Sequence, residues 1–358
     1  MAKFHTLTVA DVRKETADAV SIAFTVPNEL KSDFSFIQGQ YVTLKLNIAG
    51  EEIRRSYSIC SSPVAETELR IAAKKVEKGK GSTYLAEQVK VGDKMEVMTP
   101  MGGFYTALNA SNKKNYVLFA GGSGITPMFS IIKSVLKTEP NSTITLFYGN
   151  LNEEATIFKA ALDSLAADNK EKLSIHYIFD KPSNPAAALY TGIMTKEKGL
   201  ALIESHVGLN LDNEFFICGP TPMMQNIEDI LINSLKQAKN KVHLEYFTAT
   251  LDAAKTAEPA AGERVVSQVT IILDGDEQTV ELASDGKSIL DAAMDADLDA
   301  PFACKGAVCC TCRAKVMEGK VRMKANFALT EEEVAEGFIL TCQAHPITPV
   351  VVVDYDQN

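Results

Sequence analysis

The stretch Cys304-Lys-Gly-Ala-Val-Cys-Cys-Thr-Cys312 contains four of the seven cysteines of this chain, and Cys342 follows it at a distance. If Cys310 is left out, the spacing is Cys-x4-Cys-x2-Cys, and 29 residues then separate Cys312 from Cys342. This is the thiolate spacing of a plant-type [2Fe–2S] centre, in which a compact loop supplies three ligands and a distant segment supplies the fourth. We therefore predict that Cys304, Cys309, Cys312 and Cys342 bind a [2Fe–2S] cluster.

A zinc site is the main alternative for this loop. Zinc sites usually show paired Cys-x2-Cys spacings, so the observed pattern favours iron. A Rieske centre would need paired Cys-x-His segments, which are absent, and His345 is predicted to be a surface or packing residue. Cys310 breaks the ligand spacing, and its ordinary interpretation is a small residue beside the cluster.

Composition and charge restrict the class of protein. The chain has 358 residues, 46% of them hydrophobic and 23% charged, which predicts a soluble globular protein of two or three domains. The net charge of −10 argues against nucleic-acid binding and suits a less acidic partner surface. No signal peptide and no membrane span are expected. Seven cysteines crowded towards one loop fit metal ligation in a reducing compartment, so we predict a cytoplasmic location.

The first hundred residues show the period-two alternation of half-buried strands, clearest over Val20–Val26 and repeated in three further short segments. Gly, Pro and Asn turns separate these segments, and this pattern predicts a small antiparallel β-barrel or sandwich. One helix is predicted over Thr83–Lys90, with Ser82 as its cap.

The pattern changes at Asn115. An apolar run over Tyr116–Ala120 leads into a glycine-rich turn and then into helical periodicity, which is how a parallel α/β unit begins. Further strands are predicted at Ile144–Tyr148, Leu173–Phe179 and Phe215–Cys218, with helices over Glu154–Ala166 and from Thr221, the predicted cap, with Pro222 in its first turn.

The last part of the chain has a β-β-α order with a late strand. Small and polar residues from Asp252 to Glu263 read as a tether between domains. A hairpin with an Asp274-Gly275 turn follows, then a helix from about Ser288, the cysteine loop, and a helix from Thr330 that carries a capping box with Glu333. This order resembles a β-grasp ferredoxin domain.

In the barrel, Arg55-Ser56-Tyr57-Ser58 resembles the flavin-binding segment of the ferredoxin–NADP reductase superfamily. The resemblance implies that Arg55 pairs with a flavin phosphate, that the Tyr57 ring packs on the isoalloxazine and that Ser58 lies near its N5. The chemistry agrees, because an arginine fork suits a pyrophosphate and an aromatic face suits a flat ring. A glycine-rich turn before the helix predicts free N–H groups for an anion, and it contributes three more candidate FAD contacts: Gly81, Ser82 and Thr83.

The middle domain carries the nucleotide motifs of the same superfamily. Gly122-Ser-Gly124-Ile-Thr126-Pro127 resembles its nicotinamide-nucleotide turn, although it lacks the third glycine of a standard Rossmann fingerprint. Cys218-Gly219-Pro220 resembles a second hallmark, with the cysteine close to the nicotinamide, and Glu245-Tyr-Phe247 resembles the segment that approaches the flavin. The resemblance makes Ser58, Cys218 and Glu245 the catalytic candidates. The alternatives are a small buried residue for Cys218 and an ordinary strand end for Glu245.

The preferred nucleotide is less clearly encoded. Relatives that use NADPH often carry arginines after the second and third strands of this domain, where this chain has Leu151-Asn152 and Asp180-Lys181. Lys181 is able to bind a 2′-phosphate and Asp180 to accept from a ribose diol, so the prediction leans slightly towards NADH.

Taken together, the chain resembles the reductase components of multicomponent oxygenases over essentially its whole length, and most of all the reductase subunits of phenylacetyl-CoA epoxidase systems. The implied domains are a FAD-binding β-barrel (1–110), an NAD(P)-binding α/β domain (111–250), a linker (251–267) and a [2Fe–2S] ferredoxin-like domain (268–358). The implied activity is electron transfer from NADH or NADPH through FAD and the cluster to an oxygenase or epoxidase component. Alternatives are a reductase of another ring-hydroxylating or steroid hydroxylase system, and a redox sensor.

Overall fold

The computed structural model describes residues 3–184, 187–247 and 264–357. Within them the chain forms two compact units. The first comprises His5–Ile53 and Tyr57–Glu245, and the second comprises the chain from Tyr246 onwards together with Phe4 and Arg54–Ser56. Most of the predicted linker lies outside the described residues, and its last two residues already belong to a strand.

An antiparallel sheet of six strands opens the first unit, in the order β4-β3-β6-β1-β2-β5. Its elements are β1 (Phe4–Thr16), β2 (Ala19–Thr25), β3 (Tyr41–Ile48), β4 (Glu51–Ser58), β5 (Leu69–Lys74), helix α1 (Lys80–Glu87) and β6 (Lys94–Met98). A bridge between Ile59, just after β4, and Ile71 of β5 joins the two edges of the sheet, so the sheet curls into the predicted barrel. Alternate residues such as Ile22, Leu44 and Val97 are fully buried inside it.

The predicted start of α1 is wrong. The helix begins at Lys80 with Gly79 as its cap, and no side chain caps it. The Ser82 hydroxyl is engaged in the preceding turn instead, where it accepts from the Val76 N–H at 3.2 Å and donates to the Gly79 carbonyl at 3.3 Å. Because its hydroxyl is used in this turn, Ser82 does not cap the helix, and it lies within the helix instead.

A parallel sheet of five strands forms the rest of the first unit, in the order β11-β10-β7-β8-β9. Its elements are β7 (Asn115–Gly121), α2 (Ile125–Thr138), β8 (Thr143–Asn150), α3 (Lys159–Asp168), β9 (Leu173–Phe179), α4 (Lys196–His206), β10 (Asn213–Cys218), α5 (Thr221–Asp229) and β11 (Val242–Glu245). The chain starts in the middle strand, adds strands on one side and then returns to the other side. The strand order therefore reverses between β7 and β10, and ligands of open α/β sheets bind at such a switch point.

Two helix starts in this sheet differ from the prediction. Helix α3 begins at Lys159 and not at Glu154, because Phe158 has the left-handed φ of +61°, which a right-handed helix cannot include. Pro220 occupies the cap position of α5, with no side-chain cap bond, so Thr221 is its first residue. Helix α4, which the sequence patterns did not predict, is capped by the Thr195 side chain.

A buried carboxylate ties three segments of this sheet together. Glu214, at the start of β10, accepts from Lys114 at 3.1 Å, from Lys241 at 3.0 Å and from His243 at 2.9 Å. Burial opposes its ionisation, but the three hydrogen bonds prevail and lower the pKa of Glu214 to about 2. The cluster fixes β10 and β11 at the end of the sheet opposite the glycine-rich turn.

The second unit contains a sheet of five strands in the order β13-β12-β18-β14-β16 and a separate pair, β15-β17. Its elements are β12 (Val266–Leu273), β13 (Asp276–Ala283), α6 (Ile289–Asp295), β14 (Arg313–Glu318), β15 (Val321–Met323), α7 (Glu331–Ala335), β16 (Phe338–Leu340), β17 (Ala344–Pro346) and β18 (Val350–Asp354). The predicted hairpin is confirmed, since Asp274 and Gly275 both have the positive φ of a tight hairpin turn. The capping box of Thr330 and Glu333 is also present.

No helix in the described ranges combines the length and the apolar character that a membrane span requires.

Candidate functional site

The two glycine-containing motifs of the parallel sheet pack directly on each other at the switch point. A Cβ atom at Gly124 would lie 2.0 Å from the carbonyl oxygen of Cys218, and one at Gly121 would lie 2.4 Å from Cδ of Pro220. A Cβ at Gly219 would in turn approach the Gly121 nitrogen to 2.9 Å. Only glycine permits these approaches, so the turn after β7 and the turn after β10 form one surface at the carboxyl edge of the sheet.

Hydrogen bonds and buried side chains support the turn after β7. Gly122 has a φ of +52°, and its carbonyl accepts from the Tyr148 hydroxyl at 3.0 Å. Thr126 is buried in the first turn of α2, where its hydroxyl donates to the Ser123 carbonyl at 2.9 Å, and Pro127 is buried beside it. Thr126 and Pro127, which were predicted to contact the nucleotide, are therefore buried and support the shape of the turn. The Ile125 N–H at the start of α2 donates to the Gly122 and Ser123 carbonyls, and an added Cβ at Gly122 would meet no described atom within 4 Å, so the open side of the turn is at Gly122.

Asn150 is a polar residue that was not among the predicted site residues. It ends β8, next to Gly149, which pairs with Gly121 of β7. Both polar atoms of the Asn150 side chain are buried, and neither has a hydrogen-bond partner in the part of the chain that the structure describes. A buried amide without partners costs stability unless another group binds it, and the ribose, phosphate and carboxamide groups of a nicotinamide nucleotide supply such partners.

The three catalytic candidates lie at the ends of strands and form a chain of contacts. The Ser58 hydroxyl donates to Oε2 of Glu245 at 3.1 Å, and Glu245 of β11 pairs with Cys218 of β10. Part of Glu245 is accessible to solvent, but its carboxyl group is enclosed, and burial raises the pKa of Glu245 to about 8 against the opposing effect of Ser58. Burial and the neighbouring Glu245 also hold the pKa of the Cys218 thiol well above its usual value. Near neutral pH both groups are mainly uncharged.

The remaining flavin candidates lie on β4 and α1. Arg55 is exposed, donates to the Arg54 carbonyl at 2.7 Å and has no carboxylate partner within the described ranges, so its guanidinium fits a phosphate. Tyr57 is half-buried on the same strand. Arg55 and Ser56 are grouped with the second unit, and so is Phe247, whose side chain is 42% exposed. The flavin roles of these four residues remain predictions.

At α1, one part of the anion-binding prediction is wrong. The Thr83 N–H is not free, because the helix starts three residues early and this group donates to the Gly79 carbonyl at 3.0 Å. The N–H groups of Lys80, Gly81 and Ser82 come before the first intrahelical donor, and they replace the Thr83 N–H as candidates for binding an anion. A cavity of about 290 Å³ lies beside this helix start, lined in part by Lys78, Lys80 and Thr83, and the role of Thr83 in binding FAD remains a prediction.

The four predicted cluster ligands form two close pairs in the second unit. The sulfurs of Cys304 and Cys309 are 3.1 Å apart, and the thiols of Cys312 and Cys342 also contact each other. Thr341 fixes the second pair, since its N–H and its hydroxyl donate to the Cys312 carbonyl at 3.1 Å and 2.9 Å.

This pairing distinguishes between the two kinds of metal site. No three His, Cys, Asp or Glu side chains surround a single ion position within the described residues. Zinc needs four ligands around one ion, whereas a [2Fe–2S] centre shares its four cysteines between two irons. The pairs Cys304/Cys309 and Cys312/Cys342 therefore fit a two-iron cluster. Cys304 accepts the S–H of Cys309, and this contact lowers the pKa of the Cys304 thiol and raises the pKa of the Cys309 thiol.

The backbone of the loop is tighter than its single glycine suggests. Positive φ angles occur at Lys305 (+50°) and Ala307 (+63°) and not at Gly306, whose N–H donates to the Cys304 sulfur at 3.3 Å. Non-glycine residues in this conformation are uncommon, and they concentrate at functional sites. The Cys310 thiol donates to the Ala328 carbonyl at 3.4 Å, and its side chain packs against the hydrophobic core of this unit, which agrees with the packing interpretation of Cys310.

Three family models match the chain in succession. A model described as "Oxidoreductase FAD-binding domain" matches residues 6–105, and one described as "Oxidoreductase NAD-binding domain" matches residues 118–229. A third, described as "2Fe-2S iron-sulfur cluster binding domain", matches residues 271–346. The chain therefore carries domains for all three predicted cofactors, and each matched span falls inside one of the predicted domains.

Full-length relatives are similar to the chain throughout. It is 41% identical over 356 residues to a subunit of the 1,2-phenylacetyl-CoA epoxidase of Escherichia coli K12, with 99% of each chain covered. It is 33% identical to "3-ketosteroid-9-alpha-monooxygenase, ferredoxin reductase component" of Mycobacterium tuberculosis, with 98% of this chain and 96% of the relative covered. Phthalate dioxygenase reductase, a solved structure, shares the fold with a TM-score of 0.57 and 23% identity, and 98% of each chain is covered.

Proposed function

Because this chain belongs to the family of flavin- and iron–sulfur-containing reductase subunits of oxygenase systems, we propose that it passes electrons from NAD(P)H, through FAD and a [2Fe–2S] cluster, to an oxygenase component. The observation that carries the proposal is the pairing of Cys304 with Cys309 and of Cys312 with Cys342 in a chain that also holds a nucleotide turn. The proposed domains are residues 1–110, 111–250 and 268–358, with a linker over 251–267, and the proposed location is the cytoplasm.

Bound FAD converts the two-electron chemistry of a nicotinamide into the one-electron steps that a [2Fe–2S] centre requires. The residues of the chain position the groups that react. Gly122 leaves the turn open to the nucleotide, Pro127 and Pro220 set the two turns, and Gly124 and Gly219 keep these turns in contact. This positioning determines how closely a nicotinamide approaches a flavin, and misplacement by about 1 Å can lower a rate by about 100-fold.

Ser58, Cys218 and Glu245 set the charge of this part of the site. Since burial raises the pKa of Glu245 to about 8, the carboxyl group holds its proton at Oε near neutral pH, within hydrogen-bond distance of the Ser58 hydroxyl. The Cys218 thiol is protonated as well. The three side chains therefore add no negative charge where a hydride is to be accepted.

For the nucleotide we propose NADH. Backbone hydrogen bonds from Asp180 to Asn150 (2.9 Å) and from Lys181 to Leu151 (2.7 Å) fix the segment that follows β9 beside the end of β8. Asp180 is exposed and has no ion-pair partner within the described ranges, so it is available to accept hydrogen bonds from a ribose diol. A comparison of kcat/KM for the two nucleotides tests this proposal, and a large preference for NADPH would contradict it.

For the acceptor we propose an oxygenase of the phenylacetyl-CoA epoxidase type. The similarity to the epoxidase relative covers 99% of both chains, and the identity exceeds that to the steroid monooxygenase component. The test is reconstitution: the purified protein, showing flavin absorption with a thiolate–iron shoulder, is mixed with NADH and with the oxygenase component of either system. We expect product only with the epoxidase component. Product only with the steroid component would refute the proposed acceptor, and no electron transfer to either would refute the proposed function.

A further inference from the structure

A cleft of about 380 Å³ lies in the second unit and reaches the predicted cluster ligand Cys342. Lysines from three separate segments line it, namely Lys287, Lys305 and Lys324, together with His345. Backbone and side-chain bonds hold these segments in place, since Gln343 donates to the Lys305 carbonyl at 3.1 Å and the Lys324 N–H donates to the Gln343 carbonyl at 2.9 Å. The cleft is thus a built feature of the fold beside one end of the cluster site.

The charge of this cleft is opposite to that of its surroundings. Residues 264–357 contain eight Lys and Arg against sixteen Asp and Glu, so the unit is strongly acidic. In the cleft, the one carboxylate, Asp291, is engaged by Lys305 at 2.9 Å and by Ser288 at 2.8 Å, and Lys287 is paired with Asp295, which does not line the cleft. Lys324 is exposed and has no carboxylate within ion-pair distance among the residues that the structure describes. Its charge is therefore available to an external anion.

Two buried side-chain nitrogens on the β15–β17 pair also favour a site for an external polar group. Arg322 and His345 face each other across the β15–β17 pair, so their side chains lie on the same face. His345 is only 3% exposed, and within the described part of the chain neither its Nδ1 nor the buried Nε of Arg322 has a hydrogen-bond partner. A buried polar atom without a partner carries a cost that a bound polar group removes, and His345 is the one of the two residues that lines the cleft.

We propose that this cleft, lined by Lys287, Lys305, Lys324 and His345, is the docking point for an acidic side chain of the protein that accepts the electrons, with Lys324 as the cation that binds it. A protein carboxylate suits the cleft because an ammonium group binds carboxylates, and because the cleft adjoins Cys342, a predicted ligand of the cluster. Because the rest of the unit is acidic, the cleft contributes little long-range attraction for an acidic partner. Its expected effect is to orient the partner once the two proteins are in contact. The inference rests on the proposed function, since it concerns the acceptor of that activity.

The test compares two lysine reversals in the full-length protein with its cofactors. Lys324→Glu changes the cleft, and Lys320→Glu is the matched control, because Lys320 is equally exposed in the same unit but does not line the cleft. With the oxygenase component as acceptor, we expect Lys324→Glu to raise KM for the oxygenase by about tenfold, the loss expected for one charge-assisted contact. Lys320→Glu is expected to leave it nearly unchanged. Ferricyanide reduction, which bypasses docking, is expected to stay at the wild-type rate in both variants.

A zero-length carbodiimide cross-link supplies an independent readout, since it joins lysine amines to carboxylates in direct contact. We expect peptide mapping to find Lys324 joined to an Asp or Glu of the oxygenase component. Equal KM values for the two variants, with no cross-link at Lys324, would overturn the inference. Tight binding of inorganic phosphate in the cleft, with no change in KM for the oxygenase, would overturn it in favour of a free anion. If the wild-type protein does not reduce the oxygenase at all, it is the proposed function that fails.

Discussion

Replacement of Gly124 by alanine tests whether the contact between the two turns governs hydride transfer. The added Cβ would lie 2.0 Å from the Cys218 carbonyl oxygen and 2.5 Å from the carbonyl carbon, whereas ordinary contact begins at 3.4 Å. Both atoms belong to the backbone, so relief requires one turn to move away from the other by about 1.4 Å. Overpacking of this kind costs about 1 to 3 kcal/mol. A displacement above 1 Å between reacting groups lowers a rate by about 100-fold.

Stopped-flow measurement of flavin reduction by NADH is the assay. We expect Gly124→Ala to lower the rate by about 100-fold, to lower the melting temperature by a few degrees and to leave the thiolate–iron absorption unchanged. Gly149→Ala is the matched control, because it lies in the same sheet and its added Cβ would meet its nearest neighbour, the Ala120 carbonyl oxygen, at an ordinary 3.8 Å. If Gly124→Ala reduces its flavin as fast as the wild type, the contact between the turns does not position the nicotinamide.

Four further outcomes are expected. Cys342→Ser preserves flavin reduction by NAD(P)H while cytochrome c reduction falls, and loss of both would show that the two stages are not separable. Cys310→Ala keeps the visible spectrum of the cluster, since its thiol donates to the Ala328 carbonyl; loss of the spectrum would make Cys310 a ligand. The pKa of Glu245 is raised from 4.5 to about 8, so wild-type stability falls as pH rises through this window, and thermal unfolding of Glu245→Gln is expected to lack this component. The pKa of Glu214 is lowered from 4.5 to about 2, so it stabilises the fold above pH 4.5 and loses this effect towards pH 2; Glu214→Gln is expected to cost about 3 kcal/mol at pH 7 in denaturant unfolding and nothing at pH 2.

Local patterns predicted the elements whose cause is local. The period-two strands of the barrel, the apolar strands of the parallel sheet, the Asp274-Gly275 turn and the capping box at Thr330 all depend on neighbours in sequence, and all are confirmed. The start of α1 was predicted wrongly because a serine hydroxyl is able either to cap a helix or to hydrogen-bond within a turn. The Ser82 hydroxyl bonds within the turn before the helix. Strands of three residues, such as β15 and β17, carry too few positions to show a period.

Features that depend on distant segments were outside the reach of sequence patterns. The motifs at Gly124 and Cys218 were each recognised, but their contact follows from the order of strands in the sheet. The raised pKa of Glu245 follows from its enclosure, and the orphaned amide of Asn150 is visible only when every possible partner has been placed. The cationic cleft joins residues almost sixty positions apart, from Lys287 to His345, and no spacing rule connects them.

The two cofactor regions depend on sequence in opposite ways, and this difference predicts how each tolerates change. A [2Fe–2S] site requires four thiolates, so we expect any replacement at the predicted ligands Cys304, Cys309, Cys312 and Cys342 to remove a bond to iron. The nucleotide turn requires the absence of side chains, so at Gly121, Gly124 and Gly219 the harm grows with each added atom, starting from the methyl group of alanine. Substitutions in the cysteine loop therefore act through ligand chemistry and stop the transfer of electrons out of the protein. Substitutions in the glycine turns act through distance and slow their entry.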